Sequence, residues 1–400
     1  MKSEWKVEPL RNLVKYVAKG IPPVYVEKEE EASTVRVLNQ KCNRDFTISY
    51  AESRLHDLSK RKVPQDKYVC LGDVLINSTG TGTAGRIAQI ERVPCPTIID
   101  GHMIVLRNNS KLIASYFGYA LKAHQDEILK LDEGSTGQTE LNRERLLSEI
   151  LISYPVSHEM QHDIADTLAA LDARIAENKR INHHLEQMAQ LTFKRLIIDA
   201  NADEPLGILS DIADINPSRT LLRGQEAVYI EMANLPTNGS FPSDWTMRPY
   251  SGGMKFTNGD TIMARITPCL ENGKTAYINF LEEGAVAFGS TEYIVITSKL
   301  EYGNEVFYYL TRHPDFVNYA IRNMNGTSGR QRVSGDAIGR YGLHVPRKEA
   351  IREFSEFSAP IMDKIRQNAL ESRNLAALRD ALLPKLMSGE LSVADLPGSK

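Results

Sequence analysis

The strongest constraint on this chain is that it repeats itself. Gly72-Asp73-Val74-Leu75-Ile76 returns as Gly259-Asp260-Thr261-Ile262-Met263. Each copy leads through a polar loop into an alternating segment, Arg86-Ile87-Ala88-Gln89-Ile90 and Lys274-Thr275-Ala276-Tyr277-Ile278. A third apolar run closes each block, His102-Met103-Ile104-Val105-Leu106 and Glu292-Tyr293-Ile294-Val295-Ile296. Period-two patterning between glycine-bearing turns predicts antiparallel β-structure. A fold made of such a chain is made twice. The echo continues downstream: Ser135-Thr136-Gly137-Gln138 against Thr327-Ser328-Gly329-Arg330, and Ile152-Ser153-Tyr154-Pro155 against Leu343-His344-Val345-Pro346. The starts of the two halves also match, Glu8-Pro9-Leu10 with Glu204-Pro205-Leu206.

After each closing proline comes a long polar segment with apolar residues three and four apart. A single offset superposes the two stripes: Ile164 on Phe354, Leu171 on Ile361, Ile175 on Ile365, Leu185 on Leu375 and Met188 on Leu378. Asn178 and Asn368 share one seam position, where a polar residue fixes register at some cost in stability. The first helix, from about residue 157 to 198, makes a rod of roughly 60 Å at ~1.5 Å per residue. A stripe that long needs a partner, and the second helix is the natural one. Pro360 and Pro384 lack the amide for an i→i−4 bond, so the second helix is expected to kink or restart at each. The expected fold is α+β: two β-rich domains in tandem repeat, separated by two long helices packed as an antiparallel coiled coil. The expected boundaries are 1–155, 156–200, 201–346 and 347–400.

Charge and cysteine content narrow the function classes. The 48 basic and 51 acidic residues give a net charge of −3, which excludes a uniformly basic nucleic-acid coat but not local basic patches. Four scattered cysteines, Cys42, Cys70, Cys95 and Cys269, form neither a disulfide framework nor a zinc ribbon. No apolar run is long enough for a membrane span, and Met1-Lys2-Ser3-Glu4-Trp5-Lys6 is not a signal peptide, so the expected location is cytoplasmic.

The order of these motifs, twice over, resembles the specificity subunits of type I restriction–modification systems. The residues that carry the resemblance are Gly72-Asp73-Val74-Leu75 through Gly82 and Arg86, and their copy from Gly259. Gly134 to Gln138, Pro155 followed by Gln161, and the tail Leu378 to Leu391 add to it. The resemblance spans essentially the whole chain. It implies two target-recognition domains, each reading one half of a split site in double-stranded DNA, with the helices setting the unread spacer. It also implies two modification (methyltransferase) subunits and restriction (endonuclease and translocase) subunits as partners, with catalysis in those partners and no cofactor of the chain's own.

Base reading calls for bidentate donors and acceptors, and phosphate positioning for cations, hydroxyls and backbone amides. In the first domain the candidates are Arg54, Lys60, Arg61 and Lys62, then Thr79, Thr81, Thr83 and Arg86, then Ser135, Thr136 and Gln138. In the second they are Arg265, Thr267, Asn272 and Lys274, then Thr327, Ser328, Arg330, Gln331 and Arg332. The flexible glycines around the last group of each domain allow close backbone approach.

Three strings suggest other chemistry. Gly80-Thr81-Gly82-Thr83-Ala84-Gly85 fits G-x-G-x-x-G, but a dinucleotide site needs a helix after the turn and a strand pattern follows. Gly273-Lys274-Thr275 mimics the end of a phosphate-binding loop, with Pro268 where the first glycine belongs. His158-Glu159-Met160-Gln161-His162 fits H-E-x-x-H and is the rival reading, a zinc metallopeptidase with Glu159 as base. The equivalent span Lys348-Glu349-Ala350-Ile351-Arg352 replaces both histidines, which a solvated helix face tolerates and a metal site does not. No Asn-Pro-Pro-aromatic string of an adenine methyltransferase is present; Asp214-Ile215-Asn216-Pro217-Ser218 comes nearest. The sequence therefore reads as a non-catalytic DNA-recognition subunit.

Overall fold

The computed structural model describes residues 4–30, 33–80, 82–133, 140–327 and 329–396. The chain divides into two units, Met1–Ala173 with Leu375–Lys400, and Arg174–Asn374. Both are built to one plan. The first holds a four-stranded antiparallel sheet in the order Val14–Lys19, Met103–Asn108, Val74–Asn77, Ile87–Gln89. The second holds Ala213–Ile215, Tyr293–Ser298, Thr261–Ala264, Thr275–Tyr277 in the same arrangement. The alternating apolar residues of these strands, Val74, Ile76, Ile104 and Leu106 in the first unit, enter a core shared with Tyr116, Phe117 and Leu121 of the helix Ala114–Ala123.

The recurrent Gly-Asp pair has a structural cause. Asp73 is buried and accepts from Arg107 at 2.7 and 2.8 Å and from the Cys70 amide at 2.7 Å. Asp260 is buried and accepts from Arg219 at 2.6 Å and from the Thr257 amide at 2.7 Å. A carboxylate in such a place is tolerable only when paired. The arginines come from different points of the two halves, a strand in one and a loop in the other, so only the acids repeat in sequence.

Each unit has a second four-stranded sheet containing one parallel pair, Thr97–Ile99 with Thr34–Leu38 and Ala287–Gly289 with Glu226–Ile230. Here the strand orders differ between the units. Each unit also has a two-stranded antiparallel ribbon ahead of its long helix, Trp5–Pro9 with Leu151–Pro155 and Leu206–Ile208 with Gly342–His344. Its register corrects one reading of the sequence. Val7 lies opposite Ser153 and Leu206 opposite His344, so Val7 and Leu206 are the equivalent residues. Glu8-Pro9-Leu10 and Glu204-Pro205-Leu206 are therefore out of step; backbone pairing, not a shared tripeptide, sets the register.

The first long helix runs His158–Phe193 and continues as a π-helical turn, Lys194–Ile198, and a 3-10 turn, Asp199–Asn201. The second runs Lys348–Ser388 without interruption. The breaks expected at Pro360 and Pro384 are absent. Both prolines are exposed, as are Glu356 and Asp380 four residues before them. The carbonyls that lose a partner therefore lie on the solvated side, where water can replace the missing amide, and the helix continues through both prolines.

In the first unit Ile164, Ala165 and Leu168 share a core with Leu383, Leu386 and Met387, and Asp172 accepts from Arg379 at 2.5 Å and Lys122 at 3.0 Å. In the second unit Arg174 binds Glu371 at 2.9 and 3.0 Å, Asn178 donates to Glu371 at 2.9 Å and Ser372 at 3.2 Å, and Asn368 donates to Asn182 at 2.8 Å. Phe193 meets Phe354 edge-on at 5.6 Å. Ile164, Ile175, Asn178, Phe354, Ile361, Ile365 and Asn368 are buried, and Leu171, Leu185 and Leu375 half-buried. Met188 and Leu378 are not seam residues: they are 52% and 48% exposed. The stripe steps four residues at those points, from Leu185 to buried Ala189 and from Leu375 to Arg379. A small alanine and an ion-paired arginine hold places that apolar size alone assigned to their neighbours.

Candidate nucleic-acid interface

The strand Val74–Asn77 ends in the glycine loop, and the next two residues tie three segments together. The Ser78 amide donates to the His102 carbonyl at 2.8 Å, the Ser78 carbonyl accepts from the Leu141 amide at 2.8 Å, and Thr79 forms a β-bridge with Glu140. The start of one predicted group, at Thr79, thus meets Glu140 and Leu141 from a separate stretch at one edge of the sheet. The Thr79 hydroxyl lies 2.9 Å from His102 Nδ1 and accepts from Gln40 Nε2 at 2.9 Å. The Thr83 hydroxyl donates to the Gly80 carbonyl at 3.3 Å and Arg86 to the Gly82 carbonyl at 2.9 Å, closing the loop on itself. Gly80, Gly82 and Gly85 all have positive φ, which only glycine adopts freely. Thr81, Ser135, Thr136 and Gln138 lie outside the described residues.

The second unit repeats the junction. The Arg265 amide donates to the Glu292 carbonyl at 3.0 Å, the Arg265 carbonyl accepts from the Val333 amide at 2.9 Å, and Ile266 bridges Arg332. The Thr267 amide donates to the Gln331 carbonyl at 3.0 Å and its hydroxyl accepts from the Gln331 amide at 3.2 Å. Arg265, Thr267 and the Thr327-to-Arg332 segment are therefore neighbours, as are Asn272 and Lys274 in the same loop. Ser328 lies outside the described residues.

The geometry separates cations that hold the scaffold from those left for a ligand. Arg332 donates to Glu292 through Nε and Nη2 at 2.8–2.9 Å, and the pair holds the guanidinium above its ordinary pKa. Lys274 turns inward onto the Met232 carbonyl at 2.7 Å, which disposes of the phosphate-loop resemblance of its surroundings. Arg312 fixes the same loop through the Gly273 and Thr237 carbonyls, both at 2.8 Å. Exposed Arg330 and part-buried Arg265 have no side-chain hydrogen bond or ion pair among the described residues.

Arg54, Lys60, Arg61 and Lys62 are exposed, but they sit on the second sheet of the first unit and in the turn after it. Arg54 stacks 3.4 Å over the Tyr25 ring, Lys60 lies 3.8 Å from Asp57, and Arg61 donates to the Pro22 carbonyl at 2.9 Å. No described contact joins this group to the junction. Gln40, His102, Glu292 and Arg312 belong to the junctions and were not among the candidates. Gln40 and Arg312 belong to no motif, and His102 and Glu292 enter the repeat only as the polar residues that open its third apolar run.

The rival motifs resolve locally. Ile87–Gln89 after the glycine loop is a strand, so that turn does not open a helix as a dinucleotide site requires. In His158-Glu159-Met160-Gln161-His162 the buried residue is Gln161, while both histidines are exposed. Gln161 accepts from the Ile113 amide and donates to the Lys111 and Pro155 carbonyls, each at 2.9 Å. Among the described residues, no three His, Cys, Asp or Glu gather as metal ligands, and no helix is long and apolar enough to cross a membrane.

Residues 2–187 match the model of the type I restriction modification DNA specificity domain. The chain is 24% identical over 425 aligned positions to the type I restriction enzyme MjaIX specificity subunit of Methanocaldococcus jannaschii, covering 98% of this chain and 95% of that protein. The chain resembles type I specificity subunits along nearly its whole length. Another relative, the EcoEI specificity subunit of Escherichia coli, is 27% identical over 262 positions, 60% of this chain and 43% of that protein. The crystal structure of the type I restriction–modification S subunit from M. genitalium shares the fold of this chain, with a TM-score of 0.57 over 96% of each chain at 15% identity.

Proposed function

We propose that this chain reads a split DNA sequence and directs modification and restriction subunits to it. The observation that carries the reading is the duplicated junction: one backbone arrangement, made twice, bringing a strand-end loop and a second loop together with different side chains on each. Two different half-sites call for such a pair. The residues we assign to DNA are the loop groups from Thr79 to Arg86 and Ser135 to Gln138 in the first unit, and from Arg265 to Asn272 and Thr327 to Gln331 in the second, with the predicted Lys274 and Arg332 holding those loops instead. Arg54 to Lys62 would serve as an outlying phosphate contact.

The readers would occupy residues 1–155 and 201–346. The helices at 156–200 and 347–400 would act as an antiparallel coiled-coil ruler and as the docking surface for two modification subunits. One turn of B-DNA advances about 34 Å, within reach of a rod of roughly 60 Å. The chain itself would carry no catalysis and work in the cytoplasm. Much of the phosphate neutralisation would fall to the partners, consistent with a net charge of −3. The test is selection of duplexes from a randomised library by the complex assembled with its modification subunits. Recovery of two short blocks around a fixed gap supports the reading; recovery of no sequence, with uniform salt-sensitive binding, overturns it.

A further inference from the structure

Superposing the two junctions by their hydrogen bonds makes their residues equivalent one by one. Ser78 and Arg265 each donate an amide to the start of the next strand, at His102 and Glu292, and each accept from the returning segment, at Leu141 and Val333. Thr79 bridges Glu140 where Ile266 bridges Arg332. The backbone is the same and the chemistry is exchanged: serine for arginine, histidine for glutamate, glutamate for arginine. The flanking ion pairs exchange sign as well. In the first unit Glu140 accepts from Lys19 at 2.6 Å, and in the second Arg332, at the equivalent place, donates to Glu292 at 2.8 Å.

A second observation singles out one position. Ser78 Oγ and Arg265 Nε are both shielded from solvent with no hydrogen-bond partner. Shielded polar groups are nearly always paired, and an unpaired one needs an explanation. Here the equivalent position of two divergent domains carries one. Arg265 is only part-buried, makes no side-chain contact with an acceptor among the described residues, and is fixed by hydrogen bonds on both sides of its Cα. Its backbone is held in place, and its guanidinium lacks an anion or acceptor among the described residues.

We propose that Arg265 is a selector position of the second domain and reads a guanine through its O6 and N7 acceptors in the major groove, whereas its counterpart Ser78 is fully buried and makes no base contact. The proposal rests on the DNA-reading function above and deepens it. The phosphate backbone offers the same acceptors at both half-sites, so a phosphate contact from this position gives no reason for serine in one copy and arginine in the other. A base edge does, since a bidentate arginine suits guanine at one half-site, and the buried serine at the other leaves that contact out. The Arg332–Glu292 pair beside it keeps Glu292 from capturing Arg265 and leaves the guanidinium free for DNA.

The experiment uses the full chain assembled with its modification subunits, and maps the methylated or bound sequence from a randomised duplex library. Wild-type complex must first yield a split motif; if it does not, the DNA-reading function itself fails, separately from this inference. Given that motif, Arg265→Ala is expected to lose discrimination at a single G·C pair in the block read by the second unit, by about 10-fold or more, with the other block unchanged. Arg265→Lys keeps the charge and loses the fork. It is expected to relax the same base pair while leaving the salt dependence of binding as in wild type, which separates reading from charge and from misfolding. An unchanged motif in both variants overturns the proposal. So does a uniform loss of affinity with a shallower salt slope and intact sequence preference, which would make Arg265 a phosphate contact.

Discussion

Gln161 offers a sharp test of how the first long helix is tied to its domain. Its side chain is fully buried and makes three hydrogen bonds of 2.9 Å, accepting from Ile113 N–H and donating to the Lys111 and Pro155 carbonyls. These groups lie where the loop before the helix Ala114–Ala123 meets the start of the long helix. Gln161→Ala removes all three partners at once. Leaving a buried polar group unpaired costs about 1–3 kcal/mol. With water entering part of the cavity, a loss of about 3–6 kcal/mol from the first unit is expected. Gln161→Glu keeps the acceptor for Ile113 but sets a carboxylate against two carbonyl oxygens, so it is expected to be no better than alanine. Denaturant unfolding gives the size of the effect, and hydrogen exchange gives its place, because the Ile113 amide loses its Gln161 acceptor. A loss below about 1 kcal/mol for Gln161→Ala, with Ile113 protection unchanged, would refute the reasoning.

Three further predictions concern charge. Glu186 is driven above the usual carboxyl pKa by burial, outweighing Ser240, nearby Arg312 and the bond from Tyr308 at 3.3 Å. A raised folded-state pKa means stability is lost as pH rises from the unfolded carboxyl value to the folded one, so Glu186→Gln should raise the Tm of the second unit near neutral pH and flatten its pH dependence relative to wild type. Arg107→Ala strands buried Asp73 without its guanidinium and should destabilise the first unit by about 3–5 kcal/mol, read by denaturant titration. Arg330 is exposed and unpaired among the described residues, so Arg330→Ala should lower the salt slope of DNA binding by about one without changing the preferred sequence, measured by titration at several salt concentrations.

Much of the fold is legible in the sequence because it rests on periodicity. The strands after Gly72-Asp73 and Gly259-Asp260, the two helices and the asparagines of their seam are written as repeats of two, three or four. The failures have identifiable physical sources. Met188 and Leu378 satisfy apolar size, but the helical step carries the stripe to Ala189 and Arg379. Pro360 and Pro384 forbid an amide bond only on a face where water substitutes for it. Of the candidate interface, the loops were legible, since glycines and hydroxyls cluster there. Their division of labour was not. That Arg332 and Lys274 serve the scaffold while Arg265 stands unpaired depends on Glu292 and the Met232 carbonyl, which adjoin them only after folding. Gln40 and His102 escaped for the same reason.

The central claim, that two units read two different blocks of one DNA site, is tested most directly in the genome of the host. Single-molecule sequencing of adenine methylation, with the gene intact and deleted, compares the two states. The account predicts that deletion erases one split motif, two short blocks around an unread gap, and that restoring the chain with the second unit's junction loops exchanged changes one block alone. Methylation of a split motif that persists unchanged after deletion would contradict it.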